Sequence, residues 1–277
     1  MTTVVVTGAG SGIGEATVQR LHRAGHRVVA LVRRIDGAAR LQALDPERCM
    51  VHQVDVTVAD DVTRIGAQID VLCGAQGLGG LVNCAGVSTM GPVETATLDE
   101  LRRALEVNTI GAVAMTQTCL PALRRAGGRI INVGSIGGRV ATPLLGVYNA
   151  SKFALDGITT ALRHELRPAG IAVSLVEPGV VDTRMTTRAP ALFDVCRAAL
   201  PPELAAYYVT QLDRGMKNYR RATARPSAPD RVAKAIEHAL LARHPRPRYP
   251  VGADARVIGF LHWLLPERVF EWLVRSL

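Results

Sequence analysis

Aromatic residues make up only 4% of this 277-residue chain. That scarcity excludes a stacking platform for single-stranded nucleic acid, whose affinity comes from rows of aromatic faces, and it leaves packing to Val, Leu, Ile and Ala. Cysteine is also sparse. The five residues Cys49, Cys73, Cys84, Cys119 and Cys196 are odd in number and form no C-x-x-C pair, so neither a disulfide framework nor a zinc site is indicated, and a reducing cytoplasm fits. Histidines in ligand spacing are missing too: "HELRP" at 164 to 168 begins as a zinc-protease helix would and ends in proline. No metal is expected. No apolar run reaches the roughly 20 residues of a membrane span, and the first, "TTVVVTG", is too short for a signal peptide and has no basic leader.

Charge of one sign is in excess. Lys plus Arg number 33 against 24 Asp plus Glu, a net +9, which raises the question of an acidic partner. The arginines, however, are scattered as pairs (Arg33 and Arg34, Arg102 and Arg103, Arg124 and Arg125, Arg220 and Arg221) and never form a long basic run with aromatics between them. Solvated helix faces are the expectation, and no nucleic-acid partner. With 48% hydrophobic residues, the chain can bury a full core as a single domain over residues 1–277.

Short Val/Ile-rich runs alternate with longer amphipathic stretches. "TVVVT" is followed by a helix over about 12 to 24, then "RVVAL", a short helix, "MVHQVDV", a helix over about 59 to 73, and "GLVNCAG". The second half repeats this with helices over about 97 to 126 and 147 to 168, set between "GRIINVGS" and "IAVSLVEPG". Such βαβ alternation predicts a parallel, doubly wound sheet covered on both faces, an α/β Rossmann-like architecture. Residues 183 to 228, broken by Pro190, Pro201, Pro202 and Pro226, predict a helical insertion over the sheet edge. Residues 254–277 predict a helical extension divided by Pro266, rich in Phe260, Trp263, Leu264, Phe270 and Trp272, which suits a pocket wall, a subunit contact or a membrane-surface helix.

Two local patterns point to chemistry. The first strand runs into "TGAGSGIG", with Gly8, Gly12 and Gly14 before a helix; a glycine turn at a helix N-terminus lets a pyrophosphate approach backbone amides and the positive end of the helix. The second is Tyr148 and Lys152, four apart and therefore on one helix face, where an ammonium beside a phenol would favour proton release.

The glycine spacing, "NCAG" at 83 to 86, Asn108 in "VNTIG", Ser135, "YNASK" and "EPG" at 177 to 179 occur in order over roughly the first 185 residues. Together they resemble the short-chain dehydrogenase/reductase family, with Cys84 in place of a usual asparagine. The resemblance implies a three-layer α/β/α fold of about seven strands with NAD or NADP across the strand ends. It implies that Ser135 orients the reacting oxygen, Tyr148 exchanges the proton, Lys152 holds the nicotinamide ribose and lowers the tyrosine pKa, and Asn108 holds a relay water. Gly8, Ser11, Gly12, Ile13 and Gly14 would cradle the pyrophosphate, Asp55 and Val56 the adenine, and Ala85 and Gly86 the adjoining turn, with Asn83 bridging strands beneath. Pro178, Gly179, Val181 and Thr183 would meet the carboxamide side. A position often acidic in NAD-selective relatives is Val32 here, and Arg33 follows, so NADP(H) is preferred; Arg34 could assist, and Asp36 keeps NAD(H) compatible.

The tail and "SIGGRVATPLLGVYNASK" are similar to the branch of retinol and 17β-hydroxysteroid dehydrogenases and their bacterial relatives. That implies interconversion of an alcohol and a ketone on an apolar substrate such as a steroid, retinoid, lipid or polyketide, with Leu144, Leu145, Val180, Met185 and the Tyr207–Tyr208 segment as pocket walls. A homodimer or homotetramer is expected. The alternative, a non-catalytic NADP(H)-binding sensor or scaffold, is disfavoured because Ser135, Tyr148 and Lys152 are all present.

Overall fold

The structure, a computed structural model, describes residues 1–276. Among them the β-branched runs form β1 (Thr3–Thr7), β2 (Arg27–Val32), β3 (Cys49–Gln53), β4 (Gly80–Asn83), β5 (Arg129–Val133), β6 (Ala172–Pro178) and β7 (Arg248–Val251). All pair in parallel, in the order β3-β2-β1-β4-β5-β6-β7. The order reverses between β1 and β4, and the crevice this opens at the strand C-termini is where such sheets bind ligands.

Helices α1 (Gly12–Arg23), α2 (Ala39–Gln42), α3 (Ala59–Cys73), α4 (Leu98–Leu105), α5 (Gly111–Ala126) and α6 (Gly146–Glu165) alternate with the strands. They are followed by α7 (Arg184–Ala198), α8 (Pro202–Ala222), α9 (Pro229–Leu241), α10 (Ala253–Leu264) and α11 (Glu267–Ser276). Successive strand side chains point to opposite faces, so Val4 and Val6 pack with Val18, Leu21 and Ile236 beneath α1 and α9, while Val5 packs with Ile65, Met115 and Leu123 beneath α3 and α5. Leu21, Leu81 and Ile131 are fully buried, each stabilising the fold by about 1.5–3 kcal/mol relative to exposure.

Two predicted helices are shorter than their pattern. The stretch over 97 to 126 divides at a π-helical turn, Glu106–Ile110, between α4 and α5. There the Asn108 side chain turns inward onto Val87 and Ser151. Its start is set by a capping box between Thr97 and Glu100, and its stop by Gly127 in the left-handed conformation. The helix expected to reach 168 ends at Glu165 and passes into a 3-10 turn, Arg167–Ala169, because Pro168 has no N–H to continue the ladder.

The insertion is realised as α7 and α8, lying over the strand C-termini. In the tail, α10 rests on the turn that follows Ser135, and Ile258 and Val274 line the central cleft, so part of it is a pocket wall. Phe260, Trp263, Leu264 and Trp272 stay exposed. No helix among the described residues is long and apolar enough to cross a membrane.

Candidate active site

One cleft of about 2600 Å³ opens at the reversal point between β1 and β4 and runs beneath α7 and α8. Its floor is the glycine turn after β1. Gly8 has φ +63°, and a Cβ there would stand 2.7 Å from Ala85 Cα; Gly12 has φ +57°, and a Cβ there would meet the Thr183 methyl at 2.9 Å. Only glycine lets the β1 turn, the loop after β4 and the start of α7 close on one another. Ser11, Ile13, Gly14, Gly86, Pro178, Gly179 and Val181 line the same cleft. Asn83 does not. It is buried and bonds to Ala112 O, Thr116 Oγ1 and Asn132 Oδ1, which ties β4 to β5 and α5.

At the inner end the structure brings Ser135, Tyr148 and Lys152 together. Ser135 caps the 3-10 turn after β5, its Oγ accepting from Gly137 N at 3.0 Å and sharing a hydrogen bond with Tyr148. Lys152 is buried, one helical turn along α6; its Nζ donates to Val133 O at 3.0 Å and lies 5.9 Å from the Tyr148 ring centre. Asn108 lies behind them, with Nδ2 on Val87 O at 2.9 Å and on Ser151 Oγ at 2.8 Å, and Oδ1 accepting from Val87 N at 2.7 Å. Both Nδ2 hydrogens are spent, and Oδ1 keeps one lone pair.

The expected electrostatics differ. Burial pushes the Tyr148 phenol above its ordinary value, and the Ser135 hydrogen bond opposes this only in part. Lys152 does not lower it in the protein alone, because burial pushes its own ammonium down to about 8 and Nζ is turned onto Val133. Burial thus favours the uncharged form of both groups.

The family model for short chain dehydrogenase matches residues 2–191. The chain belongs to the short-chain dehydrogenase/reductase family. It is 36% identical to retinol dehydrogenase 5 of Mus musculus over 274 residues, 97% of this chain and 86% of that one. It is 32% identical to 17-beta-hydroxysteroid dehydrogenase type 6 of Rattus norvegicus, over 98% of this chain and 87% of that one. These place it in the retinol and steroid dehydrogenase branch. A short chain dehydrogenase of Burkholderia cenocepacia J2315, solved in complex with NADP, superposes with a TM-score of 0.74 at 28% identity, covering 100% of this chain and 97% of that one. One from Streptomyces avermitilis gives 0.79 at 27%, covering 99% and 97%. As a short-chain dehydrogenase/reductase the protein is an oxidoreductase of CH–OH groups that uses a nicotinamide cofactor.

This member's cleft fits such a cofactor. Besides the glycine cradle, Asp55, just after β3, spends Oδ1 on Thr57 N and Oγ1 and keeps Oδ2 without a hydrogen-bond partner among the described residues, beside the buried Val56. Arg34 is tied to Asp36 through two bonds of 3.2 and 2.6 Å. Arg33 is exposed, lines the cleft and has no carboxylate partner among the described residues.

Of the expected pocket walls, Leu144, Leu145, Val180 and Met185 line the cleft. Leu144 is buried at φ +68°, a left-handed conformation costly for a branched side chain, and packs with Phe193 and Leu212. Tyr207 and Tyr208 do not line it: Tyr207 is 68% exposed, and the Tyr208 hydroxyl donates to Glu94 at 2.6 Å, because both sit on the first turns of α8, ahead of the stretch from Gln211 onward that lines the cleft. Tyr219, three helical turns on, faces inward against Phe193 and donates to Thr186 O. Phe193, Cys196, Met90 and Asn149 were not legible as site residues. Asn149 is buried and holds the 137–142 loop through Gly137 O and Thr142 N; an asparagine on a helix gives no such signal.

Proposed function

We propose that this protein interconverts a secondary alcohol and a ketone on a largely apolar substrate, with NADP(H) as the preferred cofactor. The observation that carries the reading is the convergence of Ser135, Tyr148 and buried Lys152 at the inner end of a glycine-floored cleft. Ser135 Oγ holds the reacting oxygen, and Tyr148 gives its proton to that oxygen in reduction or takes it in oxidation. The bound nicotinamide supplies or accepts the hydride. Lys152, whose Nζ lies 5.9 Å from the Tyr148 ring centre, passes the proton onward, and a water held by Asn108 carries it to solvent. Ser11 to Gly14 and the N-terminus of α1 bind the pyrophosphate, Asp55 and Val56 the adenine, and Val181 and Thr183 the carboxamide.

Loss of NADPH absorbance against a panel of steroid, retinoid, acyl and polyketide ketones tests the reading. Turnover of at least one class is expected; silence across all of them would leave a cofactor-binding sensor. Cofactor choice rests on Arg33, the unpaired guanidinium beside the ribose end, since a 2′-phosphate matches its charge and fork. Arg33→Ala is expected to narrow the NADPH-to-NADH ratio of kcat/KM by on the order of tenfold. An unchanged ratio would assign the preference elsewhere. The five free cysteines suit a reducing cytoplasm. The exposed Phe260, Trp263 and Leu264 of α10 suit the subunit contact of a homodimer or homotetramer, or a membrane surface.

A further inference from the structure

The substrate half of the cleft is apolar near the reacting end and rich in hydrogen-bond donors farther out. Leu144, Phe193 and Leu212 form a buried cluster on which Met90, Cys196 and Tyr219 pack. From this cluster α8 presents Gln211, Arg214, Asn218 and Arg221 to the cleft, a spacing that puts all four on one helix face. Arg103 of α4 and Arg188 of α7 line it as well.

Arginine is common in this chain, so presence alone means little. All four are exposed and none has a carboxylate partner among the described residues, which is also true of arginines elsewhere such as Arg124; what sets these four apart is that they line one cleft. Nearby acids offset them only in part. Glu100, Glu106 and Asp254 line the cleft against these four arginines and Arg184, so positive charge is in excess there. Two lining residues also carry buried polar atoms with no partner, Thr89 Oγ1 and Asn218 Nδ2. A hydroxyl and an amide nitrogen can both donate, and guanidinium groups only donate. The missing partner is therefore an acceptor with negative charge. An uncharged steroid or retinoid does not supply it.

We infer that the substrate carries a carboxylate or phosphate at the end away from its reacting carbon, held by Arg214 and Arg221 with the Asn218 amide between them. This rests on the oxidoreductase reading of the same cleft and names the class of alcohol or ketone it takes. Charge-assisted, forked hydrogen bonds in a half-enclosed cleft give such an anchor both affinity and register, fixing how far along the cleft the carbonyl sits.

The test compares kcat/KM, with NADPH, for methyl-ketone acids of increasing chain length, for their methyl esters and for matching ketones ending in phosphate. An anion-bearing ketone is expected to exceed its ester by on the order of tenfold at low salt, with the advantage shrinking as salt is added. Whichever anion gives the larger advantage identifies the source. Arg214→Gln and Arg221→Gln are expected to bring the anion-to-ester ratio close to one, while Arg124→Gln, on an exposed part of α5, leaves the ratio as it is. An ester as good as its acid, or a ratio untouched by both α8 variants, overturns the inference while leaving the oxidoreductase reading standing. If no ketone of either form turns over, that reading fails instead. Calorimetry of decanoate against decanol on the NADPH-bound protein still decides the anion site: equal affinities, or an acid preference indifferent to Arg214→Gln and Arg221→Gln, overturn it.

Discussion

Tyr148→Phe is expected to lower kcat roughly a thousandfold while changing NADPH affinity by less than about twofold, because proton transfer by a positioned side chain contributes about 10²–10⁴ in rate. The substitution removes one oxygen and keeps the ring that packs beside Gly137. Ser135 loses its hydrogen bond to the phenol, but its Oγ still accepts from Gly137 N, and Lys152 Nζ still donates to Val133 O. The fold and the glycine cradle have no reason to respond. Fluorescence titration of NADPH alongside steady-state kinetics checks both halves. Turnover close to that of the parent protein would remove Tyr148 from the mechanism, and lost cofactor binding would recast it as a positioning residue.

Lys152→Met is expected to abolish most turnover, on the order of a hundredfold or more, and to reveal the energetic strain of a buried ammonium. Lys152 is 6% exposed, and burial depresses it from 10.5 to about 8 in the folded protein. Between those two values the unfolded chain holds a proton that the folded chain has released, so stability rises with pH across that window. Below pH 8 both states are protonated and the cost of burying the charge is fully present; above 10.5 it is gone. A depression of that size corresponds to about 3 kcal/mol. Urea unfolding at several pH values should therefore show the stability of the parent protein, relative to the variant, climbing by about 3 kcal/mol from neutral to strongly alkaline pH. Parallel curves would mean that Lys152 is not desolvated as its surroundings indicate.

The two predictions expose how unevenly the site can be read from residues alone. The order of the glycine turn, Ser135, Tyr148 and Lys152 was legible because each sits at a strand end or on the first turns of a helix, where local pattern dictates position, whereas Asn108, in a π turn within a predicted helix, was singled out only by the family resemblance. The Tyr148–Lys152 spacing, though, implied a cation that acidifies a phenol, and the folded protein shows burial acting on both groups in the opposite sense. Helical periodicity says which residues share a face. It does not say how much water reaches them. A further case is Tyr207 and Tyr208, which have the composition of pocket residues but lie on the first turns of α8, ahead of the part that lines the cleft, while Tyr219 and Phe193 lie within the wall. Asn83, which belongs to a family motif, is buried with its Nδ2 spent inside the fold on Ala112, Thr116 and Asn132.

By itself the sequence determined the parallel, two-faced sheet, since its Val-rich strands have apolar side chains on both sides and must be covered by helices on both. It also determined which residue types end up at the strand C-termini, because glycine turns and helix starts are local events. Only the tertiary structure decided which arginines keep a carboxylate and which face the cleft without one, and how far burial moves the titration of Tyr148 and Lys152. Charge pairing and desolvation depend on neighbours brought together from distant parts of the chain, as Arg20 meets Glu237 and Arg248 meets Asp156, while Arg214 and Arg221 line the cleft with no carboxylate partner among the described residues.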